Sequence, residues 1–405
     1  MSNVLATTSV VAKEALAILE NMLGFSNMVN RDYEEEFTGN QARGYSPGQT
    51  INIKKPPRYT YRDGRIAVPQ ATVQQTTPLT LAQGGCDLQF TAAERTLSLD
   101  KLSEKLQAAM ATVVNEIDRR GLEMARLYSP NVIGTPGTPP NTQLLALQAI
   151  TQLNQRMDEM GAPRDKRRGL IMNPQLNGAM IVGLAGMFNP TSELSRQYKQ
   201  GVMVDSLGLA YAMDQNVQAH TNGTQNVTAG TVAGANQSGS TINVTGASIT
   251  GTITRGSKIT FANVFAVNPQ SRQSTGTLAQ FVVTADVAPA ATSINISPAL
   301  TPSGAFQNVT GSPTNLAGIT IFGTASGSYS FNPAFHRDAF TLAMVPMWAP
   351  AGGKGVVDVS QMEYKGFRLK VTEFYDGIGD MSIMRLDVMY GWAANYPELS
   401  VGYAL

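Results

Sequence analysis

A chain of 405 residues with 42% hydrophobic content has room for two or three modest cores, because a single core rarely grows beyond about 250–300 residues. Its 30 Lys+Arg against 29 Asp+Glu leave a formal net charge of +1, which argues against nucleic-acid binding by clustered phosphate neutralisation and lets many copies pack together without strong self-repulsion. The single cysteine, Cys86, excludes an internal disulfide framework and is expected as a small half-buried side chain in a reducing compartment.

The opening "MSNVLATTSVVAKEALAILENMLGF" has no basic region ahead of an apolar run, and Lys13, Glu14 and Glu20 interrupt it. No secretory signal is expected, and no window reaches the roughly 18–20 uncharged apolar residues of a membrane span. A soluble, cytoplasmically made protein is the expectation. Val11, Ala15, Ile18, Leu19 and Met22 recur at helical spacing before Gly24, which predicts a short amphipathic helix. Such a helix needs a docking surface, since isolated ones under about 12–15 residues are marginal in water. The run Glu34–Glu36 reads as a solvated or salt-bridging face, because nothing sets two of its carboxylates across a cleft.

From Tyr45 to Gln89 the pattern turns strand-like. Asp63-Gly64, between "RYTYR" and "RIAV", is the strongest hairpin signal in the chain and predicts an extended two-stranded arm. The arm carries Lys54, Lys55, Arg58, Arg62 and Arg65 but few large apolar residues, so a partner surface is implied. Leu102, Leu106, Met110, Val113, Ile117 and Met124 then form one stripe, with Asp100 as a cap and Pro130 as a stop. About 28 residues of helix would span roughly 40 Å, long for a compact domain.

"TPGTPPNTQ" reads as a turn-rich connection, and "TQLLALQAITQLNQRMDEM" as an amphipathic helix ended by Gly161 and Pro163. "KRRGLIMNP" reads as a short buried strand and "PQLNGAMIVGLAGMF" as a helix, which together suggest an α+β body. From His220 to Thr254 there is no charged residue, in a chain only 15% charged. The segments "STINVTGAS", "SKITFANVFAV", "LAQFVVTADV" and "ATSINISPAL" are spaced as in a small barrel or sandwich. Residues 217–322 are therefore expected as an inserted all-β domain, with a mobile loop over 223–239 and a first strand near Ile242–Val244. Asn222, Asn226, Asn243 and Asn308 begin N-x-[ST] triplets, a weak glycosylation signal without a secretory leader. "RDAFTLAMVPMWAP", "FRLKVTEFYDG" and "SIMRLDVMYGWAANYPEL" then resume a sheet.

Chemistry-bearing motifs are missing. His220 and His336 lie in unrelated contexts and are expected as surface or packing residues. In "AGGKG", Gly355 stands where a phosphate loop needs a hydroxyl residue after Lys354, so a flexible turn is expected. No G-x-S-x-G or H-E-x-x-H pattern occurs. The lack of such motifs makes an enzyme unexpected without excluding one, and no catalytic residue, metal ligand or cofactor site is nominated.

The order of parts resembles the Hong Kong phage type fold of tailed-bacteriophage major capsid proteins. The segments "CDLQFTAAERTLSLDKLSEKLQAAM", "GLIMNPQLNGA", "TRGSKITFANVFAVNPQSRQSTGTLAQFVV", "DAFTLAMVPMWAP" and "IMRLDVMYGWAANYPELSVGYAL" are similar to coat proteins of short-tailed Salmonella phages, which carry an inserted β-barrel. The resemblance implies an α+β capsid fold divided into an N-terminal helical arm (1–40), an extended β-hairpin loop (41–95), a spine helix (96–134), a body (135–216), the inserted barrel (217–322) and return strands (323–405). It implies an icosahedral head assembled in the host cytoplasm from hexamers and pentamers, with scaffolding protein and portal, enclosing double-stranded DNA without sequence-specific binding and without a membrane. By position, Arg58, Tyr59, Tyr61, Arg62, Asp63 and Arg65 become candidate intersubunit contacts. The family's charged twofold loop would fall on residues 221–241, which here carry no charge. An alternative reading is a β-rich phage adhesin or tail-associated binding protein, suggested by the Thr-, Asn- and Gly-rich region.

Overall fold

The computed structural model describes residues 24–33, 49–67, 69–91, 102–184, 207–348, 356–364 and 367–405. The helix expected over 11–22, the Glu34–Glu36 run, the cap at Asp100 and the "AGGKG" turn lie outside the described residues. Strands β1 (Thr50–Lys54), β2 (Thr76–Thr80) and β3 (Ala82–Thr91) precede helix α1 (Leu102–Tyr128). Next come β4 (Asn131–Gly134), α2 (Gln143–Glu159), β5 (Arg168–Met172), α3 (Pro174–Leu184) and β6 (Ala210–Met213). A β-rich stretch follows with β7 (Ala219–Thr221), β8 (Gly230–Thr231), β9 (Gly239–Asn243), β10 (Lys258–Val267), β11 (Ser274–Val283), β12 (Ser293–Leu300) and β13 (Gly318–Ile321). The chain closes with β14 (Ser328–His336), β15 (Phe340–Met344), β16 (Val356–Tyr364), β17 (Phe367–Asp376), β18 (Met381–Ala394) and β19 (Ser400–Ala404). Two compact units result: Met1–Ile53, Thr77–Gly121 and Thr341–Ala393 make the first, and Lys54–Thr76, Leu122–Phe340 and Ala394–Leu405 the second.

In the first unit the sheet runs β15-β18-β17-β16, with β3 also paired along β18 from Met381 opposite Thr91 to Tyr390 opposite Ala82. Cys86, opposite Leu386, is half-buried as expected and free. Part of the predicted stripe on α1 is seen here: Met110, Val113 and Ile117 are buried. The polar exception on that helix is Asp118, also buried. Its carboxylate accepts from the backbone N–H of Gly24 (2.9 Å), Phe25 (3.2 Å) and Ser26 (3.2 Å) and from the Ser26 hydroxyl. Phe25 then stacks on Trp392 at 5.3 Å, and Trp392 Nε1 donates to the Ile117 carbonyl at 3.1 Å. Gly121 makes the approach possible, since a Cβ there would stand 2.5 Å from Trp392 and 2.8 Å from Phe25.

In the second unit a mixed sheet runs β4-β19-β14-β5-β6. β14 is antiparallel to β19 and β5, while β19–β4 and β5–β6 are parallel. Every residue of β5 is buried, as "RGLIM" predicts. Ile150, Leu153 and Met157 of α2 and Met180 of α3 join Leu170 and Val401 in one core. Thr142 caps α2 by accepting from Leu145 N, and Gly161, at φ +78°, follows its end.

The other sheet of this unit, β8-β13-β10-β11-β12-β9, is curled. A bridge between Val232 and Val244 joins the chain just beyond its two edge strands, so the sheet turns back on itself around Phe261, Phe281, Ile259, Val283 and Ile294. The expectation of a mobile loop over 223–239 is corrected here. β8 already pairs with β13 at Gly230–Ile319, ahead of the expected first strand. The intervening chain is bonded by side-chain amides that a strand pattern does not register. Asn222 donates to the carbonyls of Phe322 and Thr324, Gln225 bridges the Ser248 carbonyl and Gly251 N, and Gln237 bridges the Asn243 carbonyl and amide.

Asp118→Ala leaves four donors without their acceptor and is expected to lower stability by about 2–4 kcal/mol. Glu116→Ala, which removes exposed pairs with Arg119 and Arg120 one turn away, is expected to cost under about 1 kcal/mol. Denaturant midpoints of the two variants at equal m-value check the ordering.

Candidate assembly surface

Residues 55–75 leave β1 and return to β2 without a ladder of their own. The Asp63-Gly64 signal marks the bend correctly, with Gly64 at φ +89°, but the strands predicted over "RYTYR" and "RIAV" do not form. Their side chains offer no apolar face on which a two-stranded ribbon could pack. The two limbs are held by side chains instead. Gln70 Oε1 accepts from Thr60 N at 2.8 Å, its Nε2 donates to Thr60 O at 2.7 Å, and the Tyr59 and Thr72 hydroxyls lie 3.0 Å apart.

The six candidate contact residues fall into distinct roles. Arg58 is engaged within the chain, 3.8 Å from Glu398 and over the Phe306 ring. Tyr59, about half exposed, gives its carbonyl to Arg272 at 2.8 Å. Arg62 folds back to donate to the Gly64 and Ile66 carbonyls, shaping the bend. Asp63 and Arg65 are exposed, with no hydrogen bond or ion pair to another described residue. Tyr61 and Ile66 are 91% and 83% exposed. Ile66 is one that sequence reasoning passed over, although it opens the apolar part of "RIAV".

Within the second unit the curled sheet is joined to the body by buried polar side chains. Gln280 on β11 brackets β4, accepting from Val132 N at 2.7 Å and donating to Val132 O at 2.9 Å. Arg156 on α2, 6% exposed, donates to Asn131 Oδ1 (3.1 Å), Glu159 Oε2 (3.0 Å) and Leu278 O (3.2 Å). Thr277 and Asn268 complete the set by donating to the Glu159 carboxylate and carbonyl. A cleft of about 320 Å³ beside this joint is lined by Lys55, Arg58, Arg156 and Glu398 among others; Arg58 and Arg156 already have carboxylate partners.

A second buried group lies where α1 ends. Lys258, the first residue of β10, is fully buried, and its Nζ donates to the Arg126 carbonyl at 2.7 Å with the Phe331 ring 5.0 Å away. Arg126 Nη1 lies 3.0 Å from His220 Nδ1, and His220 Nε2 lies 3.2 Å from Ser257 Oγ. A guanidinium can only donate, so Nδ1 accepts, which makes the ring neutral with its proton on Nε2. Burial first, then Arg126 and Lys258, push His220 down to about 3. Burial and Arg126 push Lys258 well below the lysine range. His336 is likewise buried, 3.0 Å from Asp165. Both histidines are packing residues, and neither sits at the surface.

No described group of His, Cys, Asp and Glu could hold a metal ion, and no described helix is long and apolar enough to cross a membrane. The family model for "P22 coat protein - gene protein 5" matches residues 87–405. The chain belongs to the P22 coat protein family. It is a major capsid protein of a tailed phage, a building block of the icosahedral head that assembles with copies of itself, and not an enzyme. No curated protein matches it.

Solved structures similar to the coat protein share little sequence with it. One from Mycobacterium phage Che8 is 12% identical, with a TM-score of 0.49, over 94% of this chain and 90% of the other. The capsid of cyanophage P-SCSP1u is 10% identical, with a TM-score of 0.41, over 88% and 84%. The mature capsid of bacteriophage PhiM1 is 8% identical, with a TM-score of 0.42, over 88% and 82%. Membership of the coat family replaces the adhesin alternative. The α+β capsid fold is present, including a curled half-barrel sheet.

The depressed His220 carries a sign for acid stability. Its folded value lies below the 6.5 of an ordinary histidine, so the unfolded chain binds more protons between those values. This contribution is complete above about pH 6.5 and is lost as pH falls toward 3, at up to about 1.4 kcal/mol per unit. Lys258 acts with the same sign over a more alkaline range. His220→Gln is expected to flatten the slope of unfolding free energy between pH 6.5 and 4 in denaturant titrations; an unchanged slope would locate acid sensitivity elsewhere.

Proposed function

We propose that copies of the coat protein assemble into hexamers and pentamers around a scaffolding protein, with a portal, and that the finished shell encloses double-stranded DNA without sequence-specific binding or a membrane. The division follows the expected one: N-terminal arm to residue 40, contact loop over 41–95, spine helix over 96–134, body over 135–216 and 323–405, and an inserted β-barrel over 217–322. The curled sheet supports the last assignment, and the 27-residue α1 supports the spine. The DNA reading needs no basic coat, since a packaging motor and not charge attraction would fill the head.

The observation that carries the contact role is the bend of the 55–75 loop. Tyr61 and Ile66 stand out in water there, beside Asp63 and Arg65 with no partner among the described residues. Exposed apolar groups next to uncommitted charges are what an interface presents before its partner arrives. Tyr59 and Arg62 shape the loop, and Arg58 anchors its base. The double substitution Tyr61→Ser, Ile66→Ser is expected to change the unfolding free energy of the unassembled protein by less than about 0.5 kcal/mol. Closed-shell yield with scaffolding protein, read by sedimentation and electron microscopy, should fall at least about tenfold, a loss of roughly 1.4 kcal/mol per contact. Wild-type yield of shells would remove the loop bend from the interface.

The uncharged stretch 221–241 is proposed to meet neighbours through neutral hydrogen bonds only. Shell stability traced to this stretch is expected to change little between about 0.1 and 1 M sodium chloride, where exposed ion pairs weaken as the Debye length shrinks from about 10 to 3 Å. Comparing shell dissociation across that range, with and without Thr→Ala changes in the stretch, checks it.

A further inference from the structure

We propose that the buried cluster at the end of α1 binds a monovalent anion of chloride size. Two cationic side chains meet there, Arg126 from the helix and Lys258 from β10; the Glu123 carboxylate acts on Arg126, whereas no described carboxylate acts on Lys258. The Lys258 ammonium has three N–H donors but one acceptor, the Arg126 carbonyl. Arg126 Nε and the Tyr329 hydroxyl are buried with no hydrogen-bond partner, and so is Asn222 Oδ1. These groups are linked by contacts: His220 bonds to Arg126, its ring lies 5.5 Å from that of Tyr329, and Asn222 bonds to the Phe322 carbonyl while the Phe322 ring packs 5.4 Å from Tyr329.

The donor count decides the chemistry of the occupant. Arg126 Nε and the spare Lys258 N–H groups can only donate, Asn222 Oδ1 can only accept, and the Tyr329 hydroxyl can do either, so donors are in excess. A water molecule would bring as many donors as acceptors and no charge, leaving a buried Lys258 ammonium uncompensated, which is costly in a low-dielectric interior. A halide accepts from all of them and supplies the missing charge. The Phe331 ring lies 5.0 Å from Lys258 Nζ and Tyr329 packs against Phe322, apolar surroundings that disfavour strongly hydrated anions such as fluoride. Gly256 keeps the site open to Arg126, since a Cβ there would lie 3.3 Å from both Arg126 Nη1 and His220 Cε1. Charged and titratable groups acting on Arg126 are Glu123, Tyr329 and Arg255, and those acting on Lys258 reduce to Arg126. Anion binding therefore holds the Lys258 ammonium protonated and is tighter at lower pH.

The test uses the unassembled full-length protein at constant ionic strength, with sodium fluoride replaced stepwise by sodium chloride or sodium bromide up to about 100 mM. The melting temperature is expected to rise saturably by about 3 °C or more, further at pH 6 than at pH 9, against the general order in which bromide destabilises proteins more than fluoride. Lys258→Met, which replaces the ammonium by an apolar chain of similar length, should abolish the response. Tyr329→Phe, which removes one donor and little volume, should weaken it and serves if the first variant folds poorly. Equal melting temperatures in all three salts would overturn the proposal in favour of an enclosed water and a neutral lysine. A response retained in both variants would overturn it in favour of ions bound at the surface.

Discussion

The last turn of α1 leaves carbonyl groups with no partner inside the helix, and the Arg126 carbonyl takes its hydrogen bond from a lysine 132 residues away in sequence. That bond sets where the curled sheet can lie. Lys258 opens β10, a central strand paired on one side with β13 and on the other with β11. The other two ties, Gln280 to Val132 and Arg156 to Leu278, both reach β11. Three anchors on two adjacent central strands fix the middle of the sheet and leave β8 and β9 to curl until Val232 meets Val244. A cation at a helix C-terminus is also favoured by the helix dipole, which offsets part of the cost of burying Lys258.

Neutral amides do in this protein what charged groups do in many others. Over residues 220–254 the backbone makes only short strands, so its N–H and C=O groups need other partners once buried. Asn222, Gln225 and Gln237 each carry a donor and an acceptor on one planar group and can therefore imitate a ladder pair. The Gln225 amide serves both Ser248 O and Gly251 N. Gln70 does the same for Thr60 in the long loop, and Gln280 for Val132. A carboxylate could not donate and a lysine could not accept, so the low charge of the region follows from its bonding scheme.

Periodic elements were legible in the sequence. Helices α1, α2 and α3, the buried strand "RGLIM" and the long strands β10, β11, β12, β17 and β18 follow from apolar spacing and Gly or Pro stops. What escaped was bonding by single side chains. Nothing local distinguishes Gln225, which holds two backbone groups, from Gln218 seven residues earlier. Arg156 and Lys258 look like surface residues of a helix and a strand, yet each is buried by a partner over a hundred residues away. His220 has no local signal of its burial because its environment is built by Arg126, Ser257 and Tyr329, none of them near in sequence. The hairpin signal at Asp63-Gly64 located the bend but not the state of its limbs, because turn chemistry is local and ladder formation needs a packed face.

Among the described residues the ion pairs are mostly short in sequence, such as Glu116 with Arg119 and Arg120, Arg156 with Glu159 and Asp158 with Arg164. Such pairs hold local geometry. Asp63 and Arg65 have no such partner among the described residues and sit on an exposed bend beside the large apolar side chains of Tyr61 and Ile66. A contact made by this bend against a different surface of the next copy is heterologous, and heterologous contacts repeat around a ring when their rotation closes. Exposed pairs of this kind contribute little singly, typically under about 1 kcal/mol. A ring in which every copy gives one such contact and receives one is held by their sum, while any single wrong contact remains weak enough to break.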